Sequence, residues 1–351
     1  MLTARLRRAR SIERRRAKHG CISAKPLKML AKRAMASSMA YETLCSLALR
    51  SKPVTVLAYH TLGPDDDDFD AWTVLRMSAF RSQIAFLRER YDIITLDEAL
   101  HTAPSREARP RAVVTFDDGD AGLHAHLLPF VEEARIPVTI YVATEQVESG
   151  RCYWFDRVMN ALQSNRPISV QLDDYGLGRW VFNLERGERN WDSISALLEK
   201  LKLVAPEVRE AAVDAIVGQS RLAELPRFTP LAPLTIEQLR RLARSPWITI
   251  GAHTHCHSLL DRIPLGEAVE SIKTSRRLLI EWTGQDIRHF AYPNGNHTRE
   301  LENAVAAAQF DTATTAELGL WGADARRFAI PRVPIGRYED GDRFKLRLIG
   351  I

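Results

Sequence analysis

Cysteine is scarce in this chain, four residues in 351. Cys21, Cys45, Cys152 and Cys256 form no Cys-x-x-Cys pair and no disulfide spacing, which removes the disulfide-scaffold and thiolate-cluster classes. Long apolar runs are also missing. Residues 34–49 are interrupted by Ser37, Ser38, Glu42, Thr43 and Ser46, so nothing reaches the length of a signal-peptide core or a membrane span. No Gly-x-Gly-x-x-Gly follows the first strand-like segment and no phosphate-binding loop is present, which excludes the usual nucleotide-binding designs. There is no internal repeat and no low-complexity tract.

Acidic residues are nearly absent from the first 33 positions. Twelve Lys or Arg face one acid, Glu13, a net charge of +11, so with +5 overall the remaining residues carry −6. No aromatic interleaving or recognition module accompanies these charges, so no specific nucleic-acid partner is expected. Peripheral contact with anionic lipid headgroups is the functional expectation for such an arm, and a plain solvated tail is the alternative. Residues 31–49 read as an amphipathic helix, docked on the body or on a membrane surface. The expected location is cytoplasmic, possibly membrane-peripheral.

What is present is alternation of strand and helix. Strands are expected at 54–59, 92–96, 112–116, 137–143, 247–250, 289–292 and 312–315. Helices are expected at 78–90, 97–101, 121–134, 235–244, 266–282 and 299–308. Thr235 has the chemistry of an N-cap. Strand–helix repetition means parallel strands, in an open doubly wound sheet or a closed barrel. Residues 150–234 break the rhythm with a small strand pair near 168–172 and 180–184 and two polar helices, at 192–203 and 206–217. They read as an insertion bordering a cleft. The expected organisation is an arm and helix over 1–50, a body over 51–340 with the insertion inside it, and a tail over 341–351.

Two fragments carry the chemistry. Thr115-Phe116-Asp117-Asp118-Gly119 ends one strand and His253-Thr254-His255-Cys256-His257 ends another. Two adjacent carboxylates oppose each other's ionisation. A cation resolves that conflict if one carboxylate ligates it while the other stays free as a general base towards water. Asp-Asp-Gly alone also makes an ordinary turn. Three histidines in five positions are harder to dismiss, and imidazole nitrogens are zinc ligands. One carboxylate and two imidazoles leave a position for water, the open arrangement of a catalytic site. Cys256 reads as a small filler pointing away, and His255 as a packing or cleft residue.

At these residues the chain resembles the NodB-homology polysaccharide deacetylases, carbohydrate esterase family four, whose first motif is Thr-Phe-Asp-Asp-Gly and whose second is His-Ser/Thr-x-x-His. The resemblance implies a distorted (β/α) barrel, a divalent metal, most simply Zn2+, and removal of N-acetyl or, less often, O-acetyl groups from a glycan. On matching positions, Asp118, His253 and His257 would hold the metal and Asp117 would be the base. The family's third motif, Arg-x-Pro-x-Gly, is altered here to Ala291-Tyr292-Pro293-Asn294-Gly295. The Phe-Ala-Tyr-Pro form resembles a branch associated with exopolysaccharide, capsule and lipopolysaccharide synthesis. The fifth motif, Leu-x-x-His, is absent, and Arg332 is expected to supply the missing guanidinium. His60, at the end of the first strand, is the expected acid, with His297 or water as alternatives. Trp72, Tyr153, Trp154, Tyr292 and Trp321 fall in strand-end loops, and Tyr292, Pro293, Gly295 and Trp154 are the expected glycan contacts. A catalytically silent metal- and glycan-binding relative, or an amidase on a non-carbohydrate C–N bond, are the alternative functions.

Overall fold

The computed structural model describes residues 38–66, 69, 71–103, 108–163, 167–182, 188–220 and 230–351. The basic arm lies outside them. The helix expected over 31–49 is α1 (Ser38–Ala48), and it docks on the body: Tyr41 and Leu49 join the main core, with Leu44, Cys45 and Ala48 packed against it. Among the described residues no helix is long and apolar enough to cross a membrane.

The chain then runs β1 (Val54–Tyr59), β2 (Thr61–Gly63), β3 (Val74–Arg76), α2 (Met77–Arg90), β4 (Asp92–Ile93), α3 (Leu96–His101) and β5 (Arg111–Phe116). A single π-turn, Leu123–Leu127, leads into α4 (Leu128–Ala134), β6 (Val138–Val142) and α5 (Thr144–Ser149). The insertion holds α6 (Trp154–Ala161), β7 (Ile168–Leu172), β8 (Gly178–Phe182), α7 (Glu188–Leu201) and α8 (Pro206–Ser220). The body resumes with α9 (Ile236–Ala243), β9 (Ile248–Ala252), α10 (Leu265–Thr283), β10 (His289–Ala291), α11 (Arg299–Ala307), β11 (Thr312–Leu318), β12 (Ile330–Pro334) and α12 (Gly341–Arg347).

Seven strands close into a parallel barrel in the order β1-β12-β11-β10-β9-β6-β5, and β5 returns to β1 in continuous register from Arg111↔Val54 to Phe116↔Tyr59. The expected distorted (β/α) barrel is therefore what the chain forms. Side chains alternate along each strand, and the burial pattern sorts them cleanly. Val54, Val56, Val113, Tyr141, Ala291 and Ile330 make one buried cluster, which fills the barrel. Their strand neighbours Leu57, Val114, Ile140, Ile250, Phe290 and Val333 belong to the larger cluster under the helices.

Three elements differ from expectation. The strand expected over 92–96 stops at Ile93, because Thr95 caps α3 in a capping box with Glu98, a motif worth about 1 kcal/mol. β12 was not foreseen. Residues 341–351, read as a tail, contain α12, and Phe344, Leu346, Leu348 and Ile349 are buried in the main core. The insertion has a core of its own, in which Val158, Val170, Ile194, Leu197, Val213 and Ile216 are fully buried.

Candidate active site

Strand parity places the site. Asp117 follows Val113 and Thr115 on the inward-facing side of β5, and its N–H donates to the carbonyl of Tyr59 on the adjacent strand (2.9 Å). Asp118 has the opposite parity. It turns back because its backbone sits in the left-handed region, φ +74°, followed by Gly119 at φ +85°. That conformation costs a non-glycine residue of order 1 kcal/mol or more and needs surrounding contacts to hold it. A side chain at Gly119 would be strained there and would press on Val142.

His253 comes off β9 with inward parity, and its N–H donates to Val142 O. The loop beyond it contains two further left-handed residues, Thr254 and His257, and the His257 N–H donates to the Thr254 hydroxyl at 2.9 Å. Both imidazoles then present Nε2 to one oxygen of Asp118, His253 at 3.5 Å and His257 at 3.2 Å. Three ligand atoms, one each from Asp118, His253 and His257, lie within 4.8 Å of one another. The Nδ1 of His253 is 2.8 Å from Ala291 O, so that nitrogen carries the proton and Nε2 offers a lone pair. Burial works against the Asp118 charge, yet without a cation the rings of His253 and His257, protonated at Nε2, hold its carboxyl well below the usual range; a cation would take the place of those protons. A buried anionic carboxylate with two imidazole lone pairs is a donor set that fits a divalent cation.

Asp117 is held apart from this cluster. Arg332, on β12, donates Nη1 to one carboxylate oxygen and Nη2 to the other, both at 2.7 Å. The guanidinium is itself fixed by Nε to Thr315 O (2.8 Å) and Nη1 to the Thr115 hydroxyl (3.1 Å), over the Tyr141 ring. Arg332 is 2% exposed. Burial raises the Asp117 carboxyl, but the Arg332 charge and hydrogen bonds outweigh it and bring the group below its ordinary range. The guanidinium paired with Asp117 thus comes from β12, two strands from β10, where Ala291 leaves its own inward position small.

His60 continues β1 beyond Tyr59, the partner of Phe116, so it stands beside Asp117 at the same barrel end. It is half-buried, its Nδ1 is buried without a hydrogen-bond partner among the described residues, and its ring meets Trp72 edge-on at 5.5 Å. His297 is turned away, stacked on Tyr292 with Nδ1 near Gly295 O.

The expected glycan contacts need correction. Tyr292 is fully buried, with the outward parity of Phe290, and its hydroxyl donates to Phe328 O. Pro293 is buried in the turn that follows. Gly295 is there for the backbone: at φ +77°, a Cβ would stand 2.2 Å from the Ala316 nitrogen. Trp154 packs on the insertion core, with the Arg209 guanidinium 5.1 Å over its ring. Trp321 lies at the opposite barrel end, bridging to Val54.

The residues that border the Asp118–His253–His257 group are instead Tyr153 and Phe155. Tyr153 packs edge-on against the His257 ring at 5.0 Å and donates its hydroxyl to Asp118 O at 2.7 Å. The Phe155 ring, stacked on Tyr153, is 5.3 Å from His257. Burial, then the charges of Asp118, Asp120, Asp156 and Asp117, push the Tyr153 phenol well up, which keeps it a donor. Asp120 and Asp156 are also buried, each with one oxygen lacking a partner among the described residues. Burial raises both carboxyls strongly, with Asp118 adding to Asp120, and Asp120 and Asp118 adding to Asp156. Cys256 bonds Ser258 and Ser271, and His255 bonds Thr144, so neither joins the ligands.

Residues 209–313 match the family model of polysaccharide deacetylases. That stretch, less than half of the chain, is what is similar to the family. No curated protein matches the sequence, but solved structures match the fold. The Streptococcus pyogenes deacetylase PplD in complex with acetate covers 84% of this chain and 98% of its own, at 15% identity and TM-score 0.56. IcaB from Ammonifex degensii covers 85% and 97%, at 17% identity and 0.52. A de-N-acetylase from Aggregatibacter actinomycetemcomitans covers 84% and 99%, at 14% identity and 0.52. At these identities the likeness carries the fold, and the chemistry is argued from the chain's own side chains.

Proposed function

We propose that the protein is a metal-dependent hydrolase that removes N-acetyl groups from a glycan in surface-polysaccharide metabolism, with Asp117 as the general base. The bidentate Arg332–Asp117 pair carries this reading. It gives two adjacent aspartates different work: Asp118 stays with the histidines, while Asp117 is kept ionised and aimed by a buried guanidinium. A relative that merely bound metal would gain nothing from an oriented free base.

Asp118, His253 and His257 would hold the divalent cation, and their nitrogen and oxygen donors suit Zn2+. Bound there, the cation polarises the acetyl carbonyl and makes water more acidic, contributing several kcal/mol of transition-state stabilisation. Asp117 accepts the proton of the attacking water as its oxygen bonds to the acetyl carbon. The amide C–N bond then breaks, acetate departs, and the nitrogen leaves as an amine after receiving a proton. His60 is the residue we assign to deliver that proton. The Arg332 guanidinium holds the Asp117 carboxylate in place through the cycle. The named chemistry of the acetate-bound Streptococcus deacetylase and the Aggregatibacter de-N-acetylase supports N-acetyl hydrolysis.

Acetate release from N-acetylated oligosaccharides, with and without chelator, tests the proposal. Asp117→Asn is expected to lower kcat by about 10²–10⁴-fold while zinc still binds stoichiometrically. Stoichiometric zinc binding with no acetate from any substrate would instead establish a silent glycan-binding relative.

A further inference from the structure

The docked helix α1 spends one face on the body. Tyr41, Leu44, Cys45 and Ala48, at helical spacing, are the residues packed against the core. The opposite face carries Met39, Thr43, Ser46 and Leu47, all exposed, and exposed Arg50 follows in the turn. Met39 and Leu47 are 87% and 64% exposed, and with Thr43 between them they stand four and eight residues apart on one line. That line holds no acid. Glu42, the one acid of α1, lies between the two faces and pairs with Arg90.

The surroundings of α1 are cationic. Arg90 and Lys345 lie over the Phe86 ring, at 5.1 and 5.8 Å, and Phe86 packs edge-on against Tyr41 at 6.3 Å. Glu42 and Glu89 are the acids facing Arg90. Only residues 34–37 separate α1 from Arg33, the last of the twelve Lys and Arg that give positions 1–33 a charge of +11. The helix also stands far from the metal ligands. Its partner Arg90 ends α2 just before β4, whose Asp92 is level with Arg111, the first residue of β5, whereas Asp117 and Asp118 follow the last.

We propose that the outward face of α1 and the basic segment before it form one docking surface for an anionic lipid bilayer. Either feature alone is ordinary: charge runs are usually solvated, and single exposed apolar side chains are common. Together they supply the two signals that stable membrane attachment needs. Each Lys or Arg close to an anionic surface strengthens binding about fivefold. Met39 and Leu47 then enter the boundary between headgroups and acyl chains, with no acid on their line to desolvate. Nucleic acid would match the charge but has no use for an exposed Met39 and Leu47, so lipid is the partner assigned. Docking through α1 is independent of the deacetylase chemistry, which sits at the other barrel end.

The test is flotation of the full-length chain with vesicles of phosphatidylcholine alone and of an equimolar phosphatidylcholine–phosphatidylglycerol mixture. The expected result is flotation with the mixture only, weakened by added salt. Met39→Ser with Leu47→Ser should lower the partition coefficient about tenfold. Replacing Arg5, Arg7, Arg8 and Arg10 by Gln should lower it about a hundredfold or more, with urea unfolding unchanged in both variants. Equal flotation with the two vesicle types, or flotation with neither, overturns the proposal. Native flotation of the serine variant overturns it too, because α1 then takes no part. A dimer in sedimentation that the serine variant abolishes, without vesicle binding, would give the apolar face to a second copy of the chain. Salt-sensitive binding of duplex DNA without flotation would give the basic segment to nucleic acid, and either outcome overturns the lipid assignment.

Discussion

Replacing Arg332 by methionine separates the two aspartates most directly. The change removes two charge-assisted hydrogen bonds of 2.7 Å from a carboxylate that is itself buried, and leaves the carbon stem in place. Deleting one partner of a buried pair typically costs about 3–5 kcal/mol, a large share of the roughly 5–15 kcal/mol that holds an ordinary domain together. The cost depends on pH. In the native protein Asp117 titrates below its ordinary range, so its contribution to stability is present above that range and fades as pH falls through the lowered value. Without Arg332 burial dominates, the carboxyl titrates above its ordinary range, and the sign reverses: stability falls as pH rises. A protonated Asp117 cannot accept a proton from water, so kcat at neutral pH should fall by about 10²-fold or more, with the acid limb of the pH–rate profile moved upward. Arg332→Lys keeps the charge and loses the fork, so it should lie between the two. Urea unfolding at pH 5 and pH 8 and acetate release across the same range measure both effects. If Arg332→Met keeps the native acid limb and turnover, the arginine is not what positions the base.

Three further outcomes are expected. His60→Ala should cut kcat by about 10²-fold, whereas near-normal turnover would remove His60 as the acid. Tyr153→Phe deletes the hydrogen bond to the carbonyl of a left-handed ligand residue and should weaken zinc affinity by about 10-fold, read by competition with a chelating dye. An unchanged affinity would make that contact irrelevant to the metal. Asp156→Asn replaces a carboxyl whose titration is displaced upward by burial, then by Asp120 and Asp118. Its favourable contribution is full below the ordinary carboxylate range and is lost as pH rises through the raised value. The variant should therefore lose less stability than the native chain between pH 5 and pH 9, by about 1.4 kcal/mol for each pH unit between 5 and the raised value; identical pH slopes in urea titrations would count against it.

The strands bearing Asp117 and His253 were legible because both are apolar runs ended by polar residues, and period two needs no tertiary information. β12 was not. Pro331 and Pro334 remove two backbone donors and Arg332 puts a charge in the middle, a combination that argues against a central strand. It is tolerated because β12 pairs in the described registers at Leu57↔Val333, Ala58↔Pro334, Thr314↔Ile330 and Leu318↔Arg332, with a bulge between the last two. The Tyr153–Phe155 wall was hidden differently. The aromatic cluster at 153–155 was visible, but whether Trp154 or its neighbours faced the site depended on α6 starting at Trp154. Tyr292 was misplaced for want of a parity argument: Ala291 faces inward, so its neighbour on either side must face the helices.

Parity also explains how the altered third motif remains compatible with catalysis. Asp117 is paired with one guanidinium, and inward positions on several strands point into the same interior. Ala291 on β10 and Arg332 on β12 are both such positions. With alanine at 291, the His253 Nδ1 still finds the backbone carbonyl of that residue, because the bond is to the main chain and is indifferent to the side chain. The space left by the small side chain is where a second arginine would collide with Arg332. Ala291→Arg in the native background should therefore overpack the core and destabilise the domain, and Ala291→Arg combined with Arg332→Ala should recover part of both stability and turnover. Such a rescue is the signature of two residues exchanging one role. If the double variant is no better than the sum of the singles, the two positions do not share the Asp117 guanidinium site.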